Sequence, residues 1–175
     1  PVSDYSVYFN KDVLVELESW FPIKVLQKIG GIIKLLDEIP EPTVKEFVEV
    51  CFSSIIRDIS QQDPLDIRIR RRKIPLEDAP VFELLQKRLA DQRLRLLKFS
   101  RIANKAPFQF GLTQVSYGDC RDPLSFEKAG ITPYPINAIV TSPPYATALP
   151  YIDTDRLSML LLFNLQSKVR SQIEM

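Results

Sequence analysis

Ile136-Asn137-Ala138-Ile139-Val140-Thr141-Ser142-Pro143-Pro144-Tyr145 is the stretch on which the reading of the fold turns. Residues 136–140 are apolar apart from one Asn and rich in β-branched side chains, which reads as a buried parallel strand. The run ends in Ser-Pro-Pro-Tyr, a rigid turn at the carboxyl edge of a sheet, where open α/β folds place ligands. Pro143 and Pro144 fix φ and remove two backbone donors, so the turn takes no part in a hydrogen-bond ladder. It offers carbonyl oxygens, one hydroxyl and one aromatic face. Such a turn suits a flat molecule bearing an exocyclic amine.

A second strand-like run lies upstream. Gln114-Val115-Ser116-Tyr117-Gly118-Asp119 ends in Gly-Asp and is followed by Cys120-Arg121-Asp122-Pro123-Leu124. A carboxylate at a strand end accepts hydrogen bonds from a ligand, and Gly lets that ligand come close to the backbone. Gly-Asp alone is a common turn. Its weight comes from its spacing to Ser142-Pro143-Pro144-Tyr145.

Together these residues resemble the S-adenosylmethionine-dependent amino-methyltransferases, whose signature is (Asp/Asn/Ser)-Pro-Pro-(Tyr/Phe/Trp). The serine form, preceded here by Thr141, is most similar to DNA methyltransferases acting on cytosine N4. The resemblance implies a Rossmann-like methyltransferase sheet in the C-terminal part, S-adenosyl-L-methionine as cofactor and double-stranded DNA as partner. It implies that Ser142 and the Pro143 carbonyl accept from the target amine, within the Pro143-Pro144 turn, while Tyr145 stacks on an extruded base. Gly118 and Asp119 correspond to the site that binds the adenosine end of the cofactor. Adenine N6 as target, an inactive DNA- or partner-binding relative, and an enzyme acting on RNA or protein glutamine are the alternatives.

One part of the family pattern is missing. Methyltransferases of this type hold the methionine end of the cofactor with a Phe-x-Gly-x-Gly loop between a strand and a helix. The chain has five glycines, Gly30, Gly31, Gly111, Gly118 and Gly130. Gly30-Gly31 falls inside a helical pattern, and Phe108-Gln109-Phe110-Gly111 lacks the second Gly. The loop is expected on a segment N-terminal to Pro1 or on a second chain.

At 175 residues and a formal charge of +1, the chain has no global charge that announces a nucleic-acid partner. Two cysteines, Cys51 and Cys120, make no disulfide framework, which points to a reducing, cytoplasmic compartment. With no histidine, a zinc site or a Cys/His nucleophile is not expected. No apolar run approaches the length of a membrane span.

The pattern divides near residue 105. Residues 1–105 read as a mainly helical region, and 106–175 as a partial catalytic region carrying both motifs. Val13, Leu14, Leu17 and Trp20-Phe21 form a first stripe; Pro22 opens a helix to about Glu38. Pro42 opens a third with Val44, Phe47, Val48, Cys51, Ile55 and Ile59 on one side. A fourth runs from about Pro80 to Ala103, with Val81, Leu85, Leu89, Leu96 and Phe99 expected inward. A last helix is expected from Asp153 to about Leu165, with Asp153 and Asp155 read chiefly as its caps.

Arg68-Ile69-Arg70-Arg71-Arg72-Lys73 is a dense basic run. Arg68, Arg70, Arg71, Arg72 and Lys73 suit phosphate contacts, and arginine adds bidentate geometry. The competing reading is a solvated loop or an anchor within the chain. Basic residues of the fourth helix, from Lys87 to Arg101, favour a surface that faces nucleic acid. Trp20-Phe21, Ser53-Ser54-Ile55-Ile56-Arg57, Ser60 and the Gln62-Asp63-Pro64 segment are similar to a helical insert in bacterial DNA methylases. The sequence-based expectation is thus an α/β chain: a helical region followed by part of a methyltransferase sheet.

Overall fold

The computed structural model describes residues 4–66, 69–106, 111, 113–116, 118–119, 121–131, 136–141 and 155–165. Helix α1 spans Lys11–Trp20 and α2 spans Ile23–Asp37, joined by Phe21 and Pro22. Val13, Leu17 and Trp20 fall on one face of α1, and Val25, Leu26, Ile29, Ile32 and Leu36 on one face of α2. The spacing of three and four brings each set to a single buried stripe. Gly30 is buried inside α2, as its helical pattern implies.

Helix α3 spans Pro42–Ser53. Its start is well specified: Pro42 occupies the first turn, and the Glu41 carboxylate accepts from the Val44 N–H at 2.7 Å. The helix stops earlier than its apolar period. Ser54 turns its hydroxyl back to the Cys51 carbonyl at 2.7 Å, and Ile55 and Ile56 donate to Phe52 and Ser53 in tightened turns. Ile55 and Ile59 are nonetheless fully buried, so the stripe is kept while the helix ends.

Helix α4 spans Val81–Ala103. Val81 and Leu85 are buried, and Leu84 and Leu89 pack against the core. Leu96 and Phe99, expected inward, are 54% and 57% exposed. Length explains this. At about 1.5 Å per residue α4 runs some 34 Å, well beyond the 15 residues of α2 and 12 of α3 on which it packs. Its second half therefore projects past the body. Lys28 fixes the entry to α4, donating to the Asp78 carboxylate at 2.7 Å and the Ala79 carbonyl at 2.8 Å.

Helix α5 is short, Pro123–Lys128, capped by Asp122, whose carboxylate accepts from the Leu124 N–H at 3.1 Å. Helix α6 spans Arg156–Phe163 and packs on α1 and α3 through Leu157, Leu160 and Leu161. Asn164 ends it in the left-handed region, φ 55°. Asp155 stands at the N-cap but makes no side-chain capping bond, and Asp153 lies outside the described residues.

The α/β expectation is overturned. Among the described residues the chain is helical, with no strand pairing into a sheet and one isolated antiparallel bridge, Gln62 with Arg71. Gln114–Ser116 and residues 136–141 belong to no ladder. Ile139 and Val140, read as buried, are 78% and 98% exposed. The physical reason is a shortage of partners. Among its described residues the helical region contributes no strand, and two isolated runs make at best a marginal pair. The apolar period of residues 136–140 identifies a run suited to burial, but burial needs a neighbour, and the described residues do not supply one. None of the helices among the described residues is long and apolar enough to cross a membrane.

Candidate functional site

Ser142, Pro143, Pro144 and Tyr145 lie outside the described residues, as does Arg68. The remaining motif residues, Gly118 and Asp119, stand on a small cavity of about 180 Å³ walled by Ser116, Ser125, Phe126, Ala129 and Ile131. Gly118 meets the start of α5 at close range: a Cβ placed there would fall 2.8 Å from that of Ser125. Only a residue without a side chain fits that approach. The Gly-Asp motif implies a glycine that lies close to a ligand; the nearest neighbour of Gly118 is its own chain.

Asp119 is exposed and already engaged. Its carboxylate accepts from the Arg121 N–H at 2.9 Å, from Nε at 3.0 and 3.2 Å, and from a terminal nitrogen at 2.7 Å. Side-chain and backbone donation by Arg121 holds its pKa down to about 2. The group is thus an ionised acceptor at neutral pH. A ligand amine would have to share it with Arg121 or displace that residue.

The basic run splits into two kinds of side chain. Arg71 donates to the Ser19 carbonyl at 2.7 Å and lies over the Trp20 ring, 4.1 Å from its centroid. Arg72 donates through Nε to the Ser60 carbonyl at 2.8 Å and through a terminal nitrogen to the Asp58 carbonyl at 2.6 Å. Its backbone N–H donates to Gln61, while Asp63 N–H donates to the Arg70 carbonyl. These bonds lay residues 70–72 antiparallel against 61–63. Arg70 forms a surface pair with Asp66 at 3.2 Å, and Lys73 is exposed. Arg71 and Arg72 hold the chain together; Arg70 and Lys73 face outward.

Three features had no clear signal in the sequence. Arg156, on α6, is 7% exposed and also approaches Trp20, 3.8 Å from the centroid. Gln61 uses its side-chain amide as a surrogate backbone unit, donating to the Leu76 carbonyl at 2.7 Å and accepting from its N–H at 2.9 Å. A polar cavity of about 390 Å³ opens between the end of α3, the start of α6 and Arg88 of α4. A glutamine pair before Asp-Pro is the only hint the sequence carries, and it names neither partner.

Comparison of the chain with protein families, with curated proteins and with solved structures finds no match.

Proposed function

We propose that the chain is the part of a cytoplasmic, S-adenosylmethionine-dependent DNA amino-methyltransferase that receives the target base, cytosine through N4. The observation that carries this reading is the Gly118-Asp119 pair. It stands on a cavity with an ionised acceptor and the apolar side chains Phe126 and Ile131, at the family spacing from Ser142-Pro143-Pro144-Tyr145. The proposal rests on these motif residues and on the helical region, and it needs no sheet within this chain.

The residues fit the cofactor in part. A cavity of about 180 Å³ with one carboxylate and apolar walls suits an adenine or ribose, and is too small for the methionine end as well. That end requires a Gly-rich loop from a preceding segment or a second chain. When bound, the cofactor supplies an electrophilic methyl group. Ser142 and the Pro143 carbonyl accept from the exocyclic amine and turn its lone pair toward that methyl, so positioning and local electrostatics supply the rate. Tyr145 holds the face of a base drawn out of the stack. Arg70 and Lys73 contribute sequence-independent phosphate contacts.

Methyl transfer to duplex DNA tests the proposal, using the chain alone and the chain joined to a segment carrying Phe-x-Gly-x-Gly. The chain alone is expected to bind the cofactor weakly or not at all in calorimetry, and the joined protein to yield N4-methylcytosine. Transfer only to RNA or to protein glutamine would reassign the substrate. DNA binding without transfer in either form would leave a non-catalytic binding protein.

A further inference from the structure

Charge is divided unevenly along the helical body. Residues 4–66, which hold α1, α2 and α3, carry twelve acidic side chains against six basic. The projecting half of α4, residues 91–103, carries Arg93, Arg95, Lys98 and Arg101 against Asp91 alone. Apart from Gln92 and Ala103, every residue of that half is exposed. An unsupported helix of about this length is marginal in water. The first half of α4 is held by the body, and the second half gains from the body only its continuity with the first.

Leu94, Leu97, Lys98 and Arg101 recur at the i, i+3, i+4, i+7 spacing and share one side of α4. Leu94 lies nine residues beyond Leu85, about two and a half turns, so this side is opposite the buried stripe. Leu94 is 55% and Leu97 43% exposed. Helix α3 carries the complementary pattern at the same spacing: Glu46, Glu49 and Val50 share one side, and Val50 is 69% exposed. None of Lys98, Arg101, Glu46 and Glu49 enters an ion pair or hydrogen bond among the described residues. The two faces do not meet within one chain, because an unbroken helix whose first half packs on α3 cannot turn its outer side back on it. Two projecting halves laid face to face would set Lys98 and Arg101 against their like.

We propose that the projecting half of α4 docks on the α3 face of a second copy of this chain. Leu94 and Leu97 cover Val50, while Lys98 and Arg101 pair with Glu46 and Glu49. Helices α3 and α4 pack side by side, so one two-fold axis lets each copy give its own α4 and receive the other's. Such an exchange closes on itself as a dimer. Apolar contact supplies the affinity, and the charges set the register. The surface uses neither Gly118, Asp119 nor the basic run, so the inference does not rest on the methyltransferase reading.

Sedimentation equilibrium of the full chain tests it. A reversible monomer–dimer equilibrium is expected, weakened about tenfold as salt rises from about 0.05 to about 0.5 M, since screening shortens the reach of exposed charges. Lys98→Glu with Arg101→Glu should leave a folded monomer, and Glu46→Lys with Glu49→Lys should do the same. An equal mixture of the two variants should regain the dimer, because both contacts are then oppositely charged again. Leu97→Ala leaves every charge in place and should weaken the dimer about tenfold, which keeps the test decisive if a charge-reversed chain does not fold. A monomer at every concentration, an open series of larger oligomers, a dimer indifferent to Leu97→Ala, or folded variants that do not recover on mixing would overturn the proposal. So would an unchanged mass in Lys98→Glu with Arg101→Glu accompanied by loss of duplex binding, which would assign this side of α4 to DNA.

Discussion

The Arg71 guanidinium lies 4.1 Å from the centroid of the Trp20 ring while bonding the carbonyl of the neighbouring Ser19. A residue read as a phosphate contact is thus fastened to the end of α1. Arg156 approaches the same ring from α6, so Trp20 links three segments that are distant in sequence. Cation–π contacts are worth about 0.5–2 kcal/mol, more where water is excluded. Arg71→Ala is expected to destabilise the fold by about 1–2 kcal/mol. Trp20 is the one tryptophan, so urea unfolding followed by its emission measures the loss directly.

Arg72 and the Arg70/Lys73 pair should part company in the same experiments. Arg72→Ala removes two charge-assisted bonds to backbone carbonyls and is expected to cost about 2–3 kcal/mol. Arg70→Ala with Lys73→Ala should leave Tm nearly unchanged, since an exposed ion pair contributes little. The same double variant should weaken binding to all duplexes alike and reduce the salt slope by about 0.9 per lost contact. An unchanged slope would make the whole run structural.

Helix α4 provides an internal control. Leu85→Ala opens the core and is expected to cost about 2–5 kcal/mol. Leu96→Ala, on the projecting half, should change stability by no more than about 0.5 kcal/mol. Thermal or urea unfolding of the two variants decides whether that half is packed on the body in solution.

Asp119 carries a pH signature. Its folded pKa, about 2, lies below the ordinary value near 3.9, so the unfolded chain takes up the proton first as pH falls. Its contribution is complete above about pH 4 and is lost as pH falls toward 2. A carboxyl ¹³C NMR titration should give a midpoint near 2 for Asp119, rising toward the ordinary value in Arg121→Ala. A normal midpoint in the unaltered protein would mean that the Asp119–Arg121 pairing does not persist in water.

The role proposed for Ser142 and Tyr145 is testable in the joined enzyme. Ser142→Ala should slow single-turnover methylation by about 3 kcal/mol with cofactor affinity nearly intact, by analogy with removing one oriented oxyanion donor. Tyr145→Ala should mainly weaken capture of the base, by about 1–3 kcal/mol. Asp119→Ala should instead raise the cofactor's dissociation constant. Full activity in Ser142→Ala would reduce the turn to a structural corner.

Helices were legible because their signals are local. Pro42 with Glu41, the stripe from Val25 to Leu36, and the breaks at Pro22 and Pro40 each act within a few residues. The expected sheet failed because Ile136–Val140 shows only that it would favour burial, and pairing depends on segments elsewhere. The exposed half of α4 was misread for a related reason: Leu96 and Phe99 continue the period past the point where α2 and α3 end. The candidate site was legible as motifs and not as geometry. Nothing near Asp119 in the sequence says that Arg121 will hold it, and nothing in the basic run says that Arg71 will find Trp20.

Asn164 fastens the end of α6 to the start of α1, its amide donating to the Tyr8 carbonyl at 3.0 Å and accepting from the Asn10 N–H at 3.3 Å. Helices α4 and α6 both pack on the same set of helices, so the chain between them is a closure with both ends held. The entropy of such a closure grows only with the logarithm of the length closed, about 0.6 kcal/mol per doubling. Added or exchanged residues between α4 and α6 are inexpensive to the body that anchors both ends. The helical region is a clasp, and its stability is insulated from changes of length in what it holds.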